Sequence, residues 1–110
     1  MVASRVLRGE IYLVSLAPTL GREIRKTRPC LVVSPDELNA HLQTFIVAPL
    51  TTGSHHYPFR VPCRVAGKSG HIVLDQLRTV DRARLVRRVS KLPSPTLAKV
   101  LAGLQEMFAG

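Results

Sequence analysis

Tryptophan is absent from this chain, and its aromatic residues stop at Tyr12, Phe45, Tyr57, Phe59 and Phe108. So small a set cannot build the row of exposed rings on which single-strand-binding domains stack bases, so a nucleic acid would have to be held by cations and polar groups. Acidic residues are scarce as well: 7 Asp and Glu stand against 16 Lys and Arg, for a net charge of +9. That bias says nothing about fold, but it points to an anionic partner: a nucleic acid, an anionic membrane or an acidic protein. Long apolar runs are missing too. The longest, residues 45–50, is far too short to span a bilayer, and no basic amphipathic helix stands out, which disfavours the membrane.

The first ten residues, MVASRVLRGE, lack an extended apolar segment and a cleavage-site pattern, so a cytoplasmic protein is expected. Only Cys30 and Cys63 represent cysteine, and they belong to no CxxC or Cys/His spacing. They read as buried thiols rather than as zinc ligands or a redox pair. No His, Asp or Glu cluster has metal-ligand spacing either, so neither a metal nor another cofactor is expected.

With 110 residues and 45% hydrophobic content, the chain can bury one core without staples, and a single domain over 1–110 is expected, with residues 1–7 flexible. Residues 10–16 (EIYLVSL) read as a first strand, followed by a loop that runs to Arg28. Residues 30–34 and 44–50 read as buried strands, with a short helix over 36–41 started by Pro35 and the acids after it. Residues 57–65 alternate Phe59, Val61 and Cys63 against Arg60 and Arg64, and their prolines mark an edge strand. Residues 71–76 and 85–91 complete the strands, and residues 77–84 read as a polar connection. The tail is helical: Ser94 is a candidate cap, Pro95 suits the first turn, and Leu97, Val100, Leu101, Leu104 and Phe108 recur at helical spacing. Many short strands and one closing helix define an α+β fold, a bent β-sheet or small barrel with the C-terminal helix packed on it.

Residues 21–29, GREIRKTRP, concentrate the chemistry. One carboxylate, Glu23, sits among Arg22, Arg25, Lys26 and Arg28, in a loop that can hold a phosphate and still offer a proton acceptor. Two further polar clusters end strands: Thr51 with Thr52, and Gln76-Leu77-Arg78-Thr79. In a compact barrel such ends converge, so the three clusters are candidates for one rim.

Four strings then align in order: Arg8-Gly9-Glu10-Ile11-Tyr12; Gly21-x-Glu23-x4-Arg28-Pro29; Ile46-Val47-Ala48-Pro49-Leu50-Thr51; and Leu74-Asp75-Gln76-Leu77-Arg78-Thr79-Val80-Asp81. Together they resemble the MazF/PemK (Kid) family of toxin endoribonucleases over about residues 8–105. The resemblance implies an SH3-like, plasmid-maintenance-toxin barrel, a homodimer, and metal-independent cutting of single-stranded RNA at a short sequence, neutralised by an acidic antitoxin. By position, it assigns catalytic roles to Arg28, Thr51 and, more loosely, Glu23. Gln76 and Arg78 match a segment near the family's active site, and Arg22, Arg25, Lys26, Thr52, His55, His56, Arg84 and Arg87 are candidate RNA contacts.

RNA carries its own nucleophile. Attack by the 2′-OH on the adjacent phosphorus needs a proton acceptor, donors for the charged phosphorane, and help for the leaving 5′-oxygen. Arg28 offers a rigid fork of donors, Thr51 a neutral hydrogen bond, and Glu23 a base weakened by its cationic neighbours. Plainer readings stand beside these. Arg28 can be a solvated strand-end cation, Glu23 a salt-bridge partner and Thr51 a turn residue. The adjacent pair His55-His56 can shuttle a proton or merely meet RNA or solvent, and the basic run over 82–91 can track a phosphate backbone or be a solvated face. A rival in function is a non-catalytic toxin of the same fold that binds DNA gyrase or nucleic acid.

Overall fold

Apolar runs without polar alternation need cover on both faces of a sheet, and residues 30–33 and 45–50 are such runs. In the computed structural model, which describes residues 4–18, 20–24, 26–53 and 57–110, they form the middle of the sheet. The elements are β1 (Glu10–Ser15), β2 (Thr27–Val32), α1 (Asp36–Asn39), β3 (Thr44–Thr52), β4 (Arg60–Val65), β5 (Lys68–Val73), β6 (Arg78–Asp81), β7 (Leu85–Lys91) and α2 (Ser94–Phe108). All pairings are antiparallel, in the order β4-β5-β3-β2-β1-β7, with β6 on β3. The nine-residue β3 is the organiser: it pairs with β6 through Thr44–Val47 and with β5 through Leu50–Thr52, while β2 lies along its opposite side.

Alternation sends neighbouring residues of the central strands into two cores. Tyr12, Val14, Cys30, Val32, Phe45, Val47, Val80 and Leu85 fill one. Ile11, Leu31, Ala48, Leu50, Ile72 and Leu74 fill the other, and α2 covers it with Val100, Leu97, Leu104 and Met107. Each fully buried Val, Leu, Ile or Phe contributes roughly 1.5–3 kcal/mol of transfer free energy, so the second core explains why the sheet needs its helix. The architecture is thus the expected α+β fold, a bent antiparallel sheet closed by a C-terminal helix.

Several boundaries differ from the sequence reading for identifiable reasons. Residues 77–84 are not merely a connection. Arg78–Asp81 is a strand whose single apolar residue, Val80, enters the first core while Arg78, Thr79 and Asp81 stay polar, leaving no periodic signal to read. The strand expected over 71–76 begins earlier, at Lys68, and stops at Val73, where Leu74–Gln76 turns as a 3-10 helix. Ser94 is the first residue of α2 rather than its cap, which falls on Pro93, and no side chain caps that end. Phe108 is 72% exposed, and Met107 makes the packing contact instead. On β7 the register against β1 skips Val89 and Val86, two bulges that twist this edge and break its period of two.

Glu10 anchors the start of β1. Its carboxylate accepts the Leu7 N–H (2.7 Å) and the Tyr12 hydroxyl (3.4 Å), and it pairs with Arg88 Nε at 2.7 Å while almost fully buried. Glu10→Gln presents an N–H₂ group where a guanidinium expects an acceptor. The expected loss is about 2 kcal/mol, read as a lower urea midpoint with an unchanged slope.

The thiols also diverge from expectation. Cys30 is fully buried and burial pushes it up to about 12, opposed only by the nearby charge of Arg78. Cys63 is half-buried, so it is not the closed thiol that the sequence suggested, although burial raises it too. An aromatic disulfide reagent is expected to modify Cys63 slowly in the native protein and Cys30 only after denaturation.

Candidate active site

The connection from β1 to β2 carries Arg22 and Glu23 and is closed by hydrogen bonds, with Ile24 packed against the first core. Leu16 N–H donates to the Lys26 carbonyl (3.1 Å), and Glu23 N–H donates to the Leu20 carbonyl (3.1 Å). Glu23 Oε1 in turn accepts the Leu20 N–H at 2.7 Å. Lys26, at φ +68°, turns the chain through the left-handed region, an uncommon conformation for a residue with a Cβ, just before β2 begins. Arg78 Nη1 donates to the Leu16 carbonyl (3.1 Å), and Arg84 Nη1 donates to the carbonyls of Ser15 (3.2 Å) and Ala17. Two candidate RNA contacts therefore also brace the loop.

Glu23, Arg22, Gln76 and Arg78 line an open cleft of about 420 Å³ whose other walls include Leu16 and Pro49. Arg28, Thr51 and Thr52 line a neighbouring, mostly apolar cavity of about 220 Å³. The β2–β3 ladder ends at Cys30↔Pro49, and beyond it Arg28 and Pro29 of β2 and Leu50 and Thr51 of β3 line the same cavity. Pro49 lines the Glu23 cleft while Leu50 and Thr51 line the second cavity, so the two adjoin along β3. The polar clusters fall in two adjoining recesses, Arg28, Thr51 and Thr52 in one and Glu23, Gln76 and Arg78 in the other.

Thr51 is fixed by β5. It pairs with His71 of β5, and Thr52 pairs with Gly70. At Gly70 the strands approach so closely that a Cβ would lie 2.0 Å from the Thr51 carbonyl oxygen. Arg87 stands exposed on β7, opposite Leu13 of β1 and outside both linings. Arg25, His55 and His56 lie outside the described residues.

One feature of the cleft wall escaped the sequence. Arg60 of β4 donates twice to Asp75, both at 3.0 Å, and its guanidinium sits 4.7 Å from the Tyr57 ring centre. The Arg60 hydrogen bonds hold Asp75 below the usual carboxylate range, and Asp75 raises Arg60. Asp75 lines the cleft beside Gln76. Its only signal in the sequence was its place in the Leu74–Asp81 string, since the 15 residues to Arg60 carry no periodicity.

A small bent antiparallel sheet closed by a C-terminal helix, with guanidinium, hydroxyl and carboxylate side chains lining open recesses at its strand ends, defines a small toxin-type β-barrel. Residues 7–108 match the family described as PemK-like, MazF-like toxin of type II toxin-antitoxin system, and the chain belongs to that family. It is 38% identical over 107 residues to Endoribonuclease PemK of Escherichia coli, covering 92% of this chain and 80% of that protein. The fold matches the crystal structure of MazF (Form-I) from Deinococcus radiodurans at a TM-score of 0.83, with 28% identity and coverage of 94% and 96%. It also matches MazE-MazF (Form-II) from Deinococcus radiodurans at a TM-score of 0.78, with 25% identity and coverage of 96% and 97%.

Proposed function

We propose that this toxin is an endoribonuclease that cuts single-stranded RNA at a short sequence, without a metal, by attack of the 2′-OH on the adjacent phosphorus. The observation that carries this reading is that Arg28 and Thr51 line one cavity next to the cleft of Glu23, Gln76 and Arg78. The kinship with a protein named as an endoribonuclease supports it. Arg28 grips the non-bridging oxygens and stabilises the charge that builds on the phosphorane. Thr51 donates a hydrogen bond to the same group. Glu23 uses one carboxylate oxygen to hold its loop, which leaves proton acceptance to the other oxygen. RNA enters along the cationic side of the cleft, where Arg22 and Arg78 neutralise phosphates.

A long RNA digested in EDTA tests the assignment. Products carrying 2′,3′-cyclic phosphate and 5′-OH ends are expected, with no cutting where the attacking 2′-OH is replaced by hydrogen. Products ending in 5′-phosphate, or no products at all, would exclude it.

In this reading the protein works in the cytoplasm as a homodimer and is neutralised by an acidic antitoxin. That partner lays a carboxylate-rich segment over the cationic rim, where it orders as it binds. Antitoxin affinity is expected to fall steeply between low and physiological salt, as a titration at several ionic strengths would show. Indifference to salt would mean that the antitoxin binds elsewhere.

A further inference from the structure

Residue 76 was read as an RNA contact, yet its side chain already has a partner on the protein. The Ile24 backbone N–H donates to Gln76 Oε1 at 3.0 Å, across 52 residues of sequence. A backbone N–H can only donate, so the amide oxygen, not the nitrogen, must face Ile24. Ile24 itself packs against the first core, and the residue before it is Glu23, which closes back on Leu20. Two positions along, Arg78 holds the Leu16 carbonyl at the other end of the same connection.

We propose that Gln76 is a positioning residue, whose carbonyl latches Ile24 and so sets where Arg22 and Glu23 stand over the cleft. The inference rests on the nuclease reading for its catalytic consequence, but the latch itself is a property of the free protein. Gln76 suits a test better than Arg78, because Gln76→Met changes no charge, and the carboxylate that Gln76→Glu adds beside the cleft weakens RNA binding, an effect that kcat at saturating RNA leaves out. Two replacements separate its two ends. Gln76→Glu keeps an acceptor and removes the donor, whereas Gln76→Met keeps the length and removes both.

Amide hydrogen exchange at Ile24 in the RNA-free protein, with the buried Val47 of β3 as internal reference, reads the latch. Steady-state cleavage of a short RNA reads its consequence. In Gln76→Met, Ile24 exchange is expected to rise about tenfold with Val47 unchanged, and kcat and kcat/KM to fall about tenfold. Gln76→Glu should keep the Ile24 protection and recover most of the kcat lost in Gln76→Met, a rescue that no donor role for the amide nitrogen permits. If Val47 loosens along with Ile24, the domain as a whole has softened, and the milder Gln76→Ser decides by the same comparison. Unchanged Ile24 exchange in Gln76→Met overturns the latch. A Gln76→Glu protein with Ile24 protected but kcat at saturating RNA as poor as that of Gln76→Met overturns the positioning role in favour of direct donation to RNA. Should the wild-type protein cut no RNA, the nuclease reading fails, and the exchange measurement still decides whether Gln76 holds Ile24.

Discussion

Replacing Arg28 with alanine is expected to lower kcat/KM for RNA cleavage by roughly 100- to 1000-fold while leaving stability within about 1 kcal/mol. The asymmetry follows from position. Arg28 is only half-buried near the start of β2, where its removal opens no core, and its neighbours Val14 and Cys30 on the same face stay packed by Tyr12 and Val32. The same guanidinium faces a reaction whose transition state gathers charge on phosphate oxygens, and such donors are worth most where charge develops. Arg28→Lys restores the charge but not the planar fork, so it should recover only part of the rate. Thr51→Ala removes one neutral donor and is expected to cost about tenfold. Kinetics alongside urea denaturation separate these cases. Unimpaired cleavage by Arg28→Ala would remove this arginine from the chemistry, whatever the RNA products show.

Much of this arrangement was legible before any coordinates. Runs of β-branched residues located β1, β3 and β7, because burial on a sheet selects them directly. Alternation around Pro62 gave β4 as an edge, and among the described residues it pairs only with β5. What could not be read was pairing at a distance. Thr51 lies 23 residues from Arg28, and nothing in either segment reports that β2 and β3 are neighbours or that these two residues line one cavity. β6 failed for another reason: with Val80 its sole core residue, four residues cannot display a period. The loop of Glu23 marks a third limit. Its donors are backbone N–H groups of Leu20 and Ile24, which every residue but proline possesses, so composition holds no trace of the bonds to Glu23 and Gln76. The resemblance to a family supplied the candidate roles of Arg28 and Thr51, and the geometry adds the braces behind them.

Gly70 shows how the fold and the reaction meet at one backbone contact. Gly70→Ala is expected to destabilise the protein by about 3 kcal/mol, at the upper end of overpacking losses. Ordinarily, alanine in place of glycine within a strand gains stability by restricting the unfolded chain, and Gly70, unlike Gly9, Gly21, Gly53 and Gly67, is not in the positive-φ region. Space reverses the sign. The added methyl group would lie 2.0 Å from the Thr51 carbonyl oxygen, 3.1 Å from its carbon and 3.4 Å from the Thr52 Cα, and backbone atoms in a paired strand cannot turn aside. Gly103 of α2 is the control: there a methyl group meets only the Leu74 Cδ1 at 3.0 Å, the end of a flexible side chain, and helix propensity favours alanine by up to about 1 kcal/mol. Gly103→Ala should therefore be nearly neutral where Gly70→Ala is not. Because relief of the clash moves β5 away from β3, and Thr51 is the residue it pushes on, cleavage by the folded fraction of Gly70→Ala should fall too, about tenfold or more. A Gly70→Ala protein with the wild-type urea midpoint and the wild-type rate would show that β3 and β5 separate without cost, and that the placement of Thr51 does not depend on their contact.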